Sequence, residues 1–531
     1  MLFTSYEFVI FILACFLLYY IVPKKFQWMI LLAASYFFYF MAGTFFPLFI
    51  FITSFSTYLA GRILNKLSDE QQNYIAQRKA ELTKEEKKAY KSKMNAKSKG
   101  VMLACLLFNF GILAVLKYTN FAIDNINNLF MAVGSSKEIS FVDIIIPLGI
   151  SFYTFQSMGY LLDVYWGKSR AQSNFFKFAL FVSFFPQLVQ GPISRYNDLK
   201  DSLYKEHTAD WIQIRRGLER ILWGYFKKMV IADRILVAVN MIIDDSDYYR
   251  GGFVLIGMVF YAIELYADFT GGIDITIGIA QVFGIRLAEN FERPFFSKNI
   301  AEYWRRWHIT MGTWFKDYVF YPMSISKPLK NATTFSKKHF GKGVARRVPI
   351  YIATLVTWFA TGIWHGASWN FIVWGLLNGI IILISQECEP LYARFHQKFP
   401  SLSEKRYYQG FQVIRTFLLM CSLRLLDCYR DVGTSAKMFL SMFTEFRITD
   451  LTAAEFLDMG LTGADYFIVL AGVLIMIFVS LKGRRGSVRE AIDVKPFIIR
   501  YALIIGLFFA VILFGAYGIG YDAAQFIYNQ F

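Results

Sequence analysis

The chain has 531 residues, of which 56% are hydrophobic and only 18% charged, and a mean hydropathy of +0.39, a balance that excludes an ordinary soluble domain. Its formal net charge of +17 lies in stretches between apolar runs rather than on one solvated face, which excludes a nucleic-acid binder and points to membrane topology. Apolar runs of the roughly 20 residues needed to cross a bilayer recur along the whole length. The chain is therefore read as an all-α polytopic membrane protein forming a single domain, residues 1–531. Cys15, Cys105, Cys388, Cys421 and Cys428 are scattered without paired metal-ligand spacing and read as small buried hydrophobes.

Spans are expected near Tyr6 to Val22, Gln27 to Met41 and Phe45 to Ile63, the first a permanent span rather than a removable signal. Arg62 to Lys99 holds eleven Lys/Arg against five acids, so this loop should be cytoplasmic and the N-terminus outside. Its Glu81 to Lys99 part reads as a solvated helix along the membrane surface, where contact with anionic lipid is a secondary reading. A span near Val101 to Leu116 follows, then an Asn-rich outer loop, Tyr118 to Ser140. The apolar stretches Ile144 to Tyr165 and Phe175 to Val189 are broken by Pro147, Gly149 and the segment Gln190-Gly191-Pro192. Such breaks are tolerated at membrane depth only where protein or a wet cavity receives the freed backbone, so both stretches are candidate cavity walls.

Trp211 to Val239 mixes Arg and Lys with Leu, Ile, Trp and Phe, the pattern of an interfacial amphipathic helix. Phe253 to Phe269 is apolar but carries Glu264 and Asp268, acids that should face the protein interior or a cavity. Ser326 to Val348, with seven Lys/Arg and no acid, reads as a second cytoplasmic loop. Further spans are expected near Ile350 to Trp364, Trp369 to Ser385, Phe411 to Leu426, Tyr466 to Leu481 and Ile498 to Ala516, leaving the C-terminus outside. The total is about 11 to 13 membrane segments, some of them short, re-entrant or interfacial. Within the one domain, residues 62–99 are the basic cytoplasmic loop, 141–386 the catalytic core and 387–531 the C-terminal helices.

Two of the five histidines, His308 and His365, directly follow a tryptophan in apolar surroundings. His365 lies in Trp364-His365-Gly366 after an apolar run of only about 15 to 17 residues, short enough to leave it at membrane depth. An ionisable residue there is a functional candidate by default and an imidazole the natural general base at neutral pH, the alternative being a buried neutral histidine bonded to a backbone carbonyl. Around His308, helical spacing over Tyr303 to Asp317 places Trp304, His308 and Met311 on one face, a stripe that suits packing as well as a site. Arg305, Arg306, Lys316 and Asp317 could be interfacial anchors, orienters of His308 or binders of a phosphate-bearing donor. No metal constellation emerges. A Ser-His-Asp arrangement through Ser368 stays open, although no Gly-x-Ser-x-Gly elbow accompanies it.

Tyr303-Trp304-Arg305-Arg306-Trp307-His308-Ile309-Thr310, Thr313-Trp314-Phe315-Lys316-Asp317-Tyr318 and Gly362-Ile363-Trp364-His365-Gly366-Ala367-Ser368-Trp369 carry a resemblance. With Gln190-Gly191-Pro192-Ile193, Asp268-Phe269-Thr270-Gly271 and Asn290-Phe291 to Pro294 in order upstream, the sequence resembles the membrane-bound O-acyltransferase superfamily. Within it, the match is to the branch of the bacterial alginate O-acetyltransferase membrane subunit. The resemblance implies a bundle of membrane helices around a funnel, His365 and His308 as catalytic residues, and Trp304, Arg305, Arg306, Asp317, Asp268, Asn290, Trp364 and Asn370 as substrate-binding candidates. It also implies no bound cofactor or metal and an acyl thioester, acetyl-CoA or an acylated carrier protein, as the donor substrate. A polysaccharide acceptor and a separate extracytoplasmic acyltransferase would be the partners, in the cell membrane. Gly272 and Ile273 depart from the Tyr-Ser expected after Gly271. A sister branch transfers D-alanine to teichoic acids, but Ala367-Ser368-Trp369 favours the acetylating branch. The rival from another class is a polysaccharide or lipid transporter, with Glu264, Asp268 and the histidines along a polar pathway.

Overall fold

A computed structural model describes residues 3–517. The C-terminal residues 518–531, on which the expectation of an outside C-terminus falls, lie outside the described residues. The chain divides into two compact units, one comprising residues up to Ile214 together with Ala280–Leu287, the other Arg215–Ile279 together with the chain from Ala288 on. Secondary structure among the described residues is helical, and seven helices are long and apolar enough to cross a membrane. Shorter apolar helices such as Tyr6–Ile21 accompany them, as the expected mixture of full and short segments requires.

In the first unit, Ser5 caps the opening helix by accepting from the Phe8 N–H. The expected basic loop is mostly helix. Phe46–Gln77 runs on past the apolar run, and a Thr83–Glu86 capping box starts a single helix, Lys84–Ala132. Lys, Glu and Ala are good helix formers, so a composition that marks a membrane side does not mark a loop. At 49 residues this helix is about 74 Å long, so its basic first turns continue the axis of the span instead of lying along the surface. Its far end absorbs residues 118–132 of the expected outer loop 118–140. The two broken segments behave as membrane depth demands. The Ile150–Tyr165 helix starts after Gly149, held at φ 68°. The next apolar run breaks at Phe184, where Phe181 O accepts from the Gln156 amide at 2.7 Å and Phe185 N donates to Ser35 Oγ at 3.1 Å.

In the second unit, the segment expected to be an interfacial amphipathic helix is interrupted by a π-helical turn, Phe226–Ala232, and its cations point inward. Lys227 and Lys228 are 4% and 1% exposed. The reason is the acids of the Gly252–Val282 helix. Lys228 Nζ sits 2.5 Å from Asp268 and 2.7 Å from Asp233, while Lys227 Nζ is 2.6 Å from Asp274, which also takes Arg220 at 2.8 Å. The helices approach closely because Gly224 and Gly271 face one another. A Cβ on Gly224 would stand 2.6 Å from Gly271 O. As expected, Glu264 and Asp268 face the interior, 2% and 0% exposed.

The second expected basic loop is also helical. Residues 327–365 form two helices that meet at a kink where Gly341 leaves helical geometry at φ 84°, and the second joins Trp369–Glu387 through a tight turn. The helix before His365 runs back to Gly341, but Lys342, Arg346 and Arg347 fall in its first turns, so the apolar run ahead of the histidine still begins at Val348.

Candidate active site

Residues 290–310 build the first half of the site. Asn299 caps Ile300–Arg306 through the Glu302 N–H, and Trp307 N–H closes that helix on Tyr303 O. The expected continuous helix over 303–317 ends here, because His308 takes the left-handed conformation, φ 47°, and starts a new helix, Ile309–Phe315. A non-glycine residue held there needs its neighbours to fix it. Asn290 does so with both of its carbonyls. Its backbone O accepts from Ile309 N at 2.9 Å, and its side-chain Oδ1 accepts from Thr310 N (3.0 Å), Thr310 Oγ1 (2.9 Å) and His308 Nδ1 (3.3 Å).

These bonds set the histidine tautomer. A backbone N–H can only donate, so the Asn290 atom facing Thr310 N is its oxygen, and His308 Nδ1 must carry the proton that reaches it. Nε2 of the neutral ring is then an acceptor. The ring is 1% exposed and lies among Phe269, at 5.0 Å between centroids, Phe291 at 6.4 Å and Trp364 at 5.9 Å. Burial, assisted by the nearby Arg424 charge, lowers its pKa from the ordinary 6.5 to about 3, so it is neutral at physiological pH.

The second half is the hairpin around His365. Gly362 and Gly375 let its two helices meet backbone to backbone. A Cβ on Gly362 would strike Phe371 O, and one on Gly375 would strike Trp358 O. This places the His365 ring 4.8 Å from Trp374 and 4.9 Å from Trp364. Trp364 therefore touches both histidines, and the structure brings the two motifs together in one aromatic cluster. His365 is half-buried where His308 is fully enclosed. Asn370 donates to Leu426 O at 3.0 Å and accepts from the Ser368 hydroxyl, which commits the proton of Ser368 to an amide.

The remaining candidates divide. Trp304 and Arg305, with Lys316, wall a cavity of about 530 Å³ whose other side is the Thr354, Thr357 and Thr361 stripe, ending one turn before His365. Trp304 Nε1 is fixed on Asn378 Oδ1 at 3.1 Å. Arg306 is ion-paired with Glu302 at 2.6 Å, Asp317 is half-buried in a π-helical turn, and the carboxylate of Asp268 is engaged by Lys228.

Sequence reasoning missed Arg424 and Asp427. Both sit within the expected span 411–426 or at its end, 2.5 Å apart and 7% and 5% exposed. The Arg424 guanidinium lies over Trp307, Trp374 and Trp304 at 5.0, 5.2 and 5.9 Å. An i, i+3 Arg–Asp pair inside an apolar run was the available signal.

A polytopic helical protein with two imidazoles meeting at one tryptophan beside a large cavity is built as a membrane enzyme. Residues 168–337 and 338–426 match the profile of MBOAT, the membrane-bound O-acyltransferase family. The chain is 33% identical to the "Probable alginate O-acetylase AlgI" of Azotobacter vinelandii over 389 residues, 73% of this chain and 69% of that protein. It is 29% identical to the "Peptidoglycan O-acetyltransferase" of Helicobacter pylori, covering 59% and 60% of the two chains. A further relative is the "Teichoic acid D-alanyltransferase" of Bacillus subtilis, 28% identical over 52% of this chain and 66% of the other. The chain belongs to the membrane-bound O-acyltransferase family and is a multi-pass membrane acyltransferase.

Proposed function

We propose that this acyltransferase is an O-acetyltransferase that moves an acetyl group from a cytoplasmic thioester, acetyl-CoA or an acylated carrier protein, toward an extracytoplasmic polysaccharide. The relatives act, by their names, on alginate and peptidoglycan, and the D-alanyl transferase matches a smaller share of this chain than either. The whole chain, 1–531, works as one acyltransferase, with basic segments 62–99 and 326–348 on the cytoplasmic side, the N-terminus outside and a separate extracytoplasmic transferase as partner. The excess of Lys/Arg in those segments supports that orientation.

The observation that carries the mechanism is the shared contact of His308 and His365 with Trp364, only His365 being partly open. His365 is the general base. It takes the proton of the accepting hydroxyl as that oxygen attacks the thioester carbonyl, and returns it to the departing thiolate as the C–S bond breaks. His308 binds the donor. Its Nδ1–H is committed to Asn290, so Nε2 accepts a hydrogen bond from a donor N–H and does not serve a developing oxyanion while neutral. Trp304, Arg305 and Lys316 line the donor's approach, their cations suiting a phosphate-bearing thioester. Asn370 holds the turn after His365, and Trp364 separates the two rings.

The test is thioester cleavage by the purified protein in detergent, with labelled acetyl-CoA, a polysaccharide acceptor and an extracytoplasmic fraction. Acceptor-dependent turnover should be lost in His365→Ala while the variant keeps its fold. Equal turnover in wild type and variant removes His365 from the chemistry. Turnover with a D-alanyl carrier and none with acetyl-CoA overturns the acetyl assignment.

A further inference from the structure

A second cavity, of about 290 Å³, lies apart from the histidines. Its wall is almost wholly apolar and comes from spanning helices, with Val259 and Ile263 on Gly252–Val282 and Val473, Met476 and Ile477 on Gly463–Lys482. The size is at the lower end of ligand pockets, about 300–1,000 Å³, and suits one fatty chain better than a bulky substrate. One end is different. Arg293 and Ser480 line it, and the Arg293 guanidinium donates to Gly483 O at 2.8 Å, tying it to the basic turn Lys482 to Arg485. Phe296, another wall residue, carries the Arg484 guanidinium 4.9 Å above its ring. Lys482, Arg484 and Arg485 are exposed, and among the described residues none of the three has an ion-pair partner.

We propose that this is a binding site for an anionic phospholipid, one acyl chain filling the cavity and the phosphate resting on Arg484 and Lys482. Two independent features point to the same occupant. An apolar recess walled by spanning helices suits a lipid tail, and cations without an ion-pair partner at the end of a span attract acidic headgroups. Arg293, itself ion-paired with Glu292 at 3.0 Å, links the two features, since it lines the recess while its guanidinium anchors the turn that bears Lys482 and Arg484. The recess also backs onto the catalytic cluster, because its wall residues Tyr266 and Phe295 pack on Trp307 at 6.2 and 6.1 Å.

The full chain, delipidated in detergent, is to be titrated with phosphatidylglycerol, phosphatidylcholine or inorganic phosphate and followed by native mass spectrometry and thermal unfolding. Wild type should retain one phosphatidylglycerol at least tenfold more tightly than phosphatidylcholine. Arg484→Gln, an exposed change that leaves the fold alone, should erase that preference, and Val473→Phe, which fills the recess, should lower retention of both lipids. Equal retention of the two lipids by wild type overturns the proposal, as does retention unchanged in both variants. Displacement of the lipid by equimolar phosphate would reduce the site to a surface anion contact and overturn it too.

Discussion

Replacing Arg424 by Met tests the buried pair behind the catalytic cluster. Arg424 and Asp427 are 2.5 Å apart and 7% and 5% exposed, so removing the guanidinium strands a carboxylate out of reach of water. Breaking one partner of such a pair costs about 3–5 kcal/mol, and part of the roughly 2 kcal/mol available to a desolvated cation over aromatic rings is lost with it. Removing both charges is a different perturbation. Arg424→Met with Asp427→Leu leaves no stranded ion, and exchange of a buried pair for apolar groups is often neutral or stabilising. A double-mutant cycle in mixed-micelle denaturant titrations should thus give a coupling energy of at least about 5 kcal/mol, with the double variant within about 1 kcal/mol of wild type. Acetyl transfer by the double variant should stay well below wild type, because Trp374, which packs on the His365 ring, and Trp307, the residue before His308, lose the cation that lies over them. A single variant that costs under about 1 kcal/mol, or a double variant as unstable as the single, would refute the reasoning.

Other consequences follow from the histidine geometry. As pH falls through 6.5 the unfolded chain protonates His308 while the folded ring stays neutral to about 3, so stability is lost over that window, about 2 kcal/mol of it by pH 5. His308→Phe should lose that much less stability between pH 7 and 5, and an identical slope would exclude His308 as its source. Asn290→Ala leaves Thr310 N–H, its hydroxyl and His308 Nδ1–H without their acceptor, costing about 1–3 kcal/mol and at least tenfold in kcat by roughly the usual price of a lost site orientation. Asn290→Asp, which keeps an acceptor, should recover part of the rate; full activity in Asn290→Ala would remove the tautomer argument. Gly375→Ala pushes a methyl onto Trp358 O and to 3.0 Å from the Gly362 Cα, so it should cost about 1–3 kcal/mol and a disproportionate share of activity by shifting His365. Gly410→Ala, which meets open space, is the control.

How legible each feature was depended on how local its cause is. The inward acids Glu264 and Asp268 could be read directly, because an ion in an apolar run has few other places to go. Their cations could not. Lys228, the partner of Asp268, and Lys227 and Arg220, the partners of Asp274 on the same helix, sit about 40 to 54 residues before those acids in a segment whose mixed composition imitates a surface helix, and only the Gly224–Gly271 contact brings the two together. The two histidine motifs were visible, and their meeting at Trp364 was not, since it depends on the break at His308 and on Gly362 and Gly375 at the hairpin. Asn290 was named as a candidate, but the bond that gives it meaning joins residues 18 apart through a left-handed turn that no helical pattern predicts.

The buried cations also change what the net charge says about topology. Arg220, Lys227, Lys228, Arg234 and Arg424 are neutralised inside the protein by Asp274, Glu289, Asp268, Asp233, Asp465 and Asp427. Cations matched in this way are packing groups, and the orienting signal rests with those left in water. Lys84, Lys88, Lys91 and Lys93 are such a set, exposed on the part of the Lys84–Ala132 helix that overhangs a bilayer core of about 30 Å. The two sets should therefore fail differently. Changing those four lysines to Glu should lower the fraction of chains with a cytoplasmic reporter in loop 78–83 while leaving correctly inserted protein as stable as wild type. Lys228→Met should leave the reporter cytoplasmic and destabilise the fold by about 3–5 kcal/mol. Reporter signals moved equally by both, or by Lys228→Met alone, would mean that the inner cations help to orient the chain before they are buried.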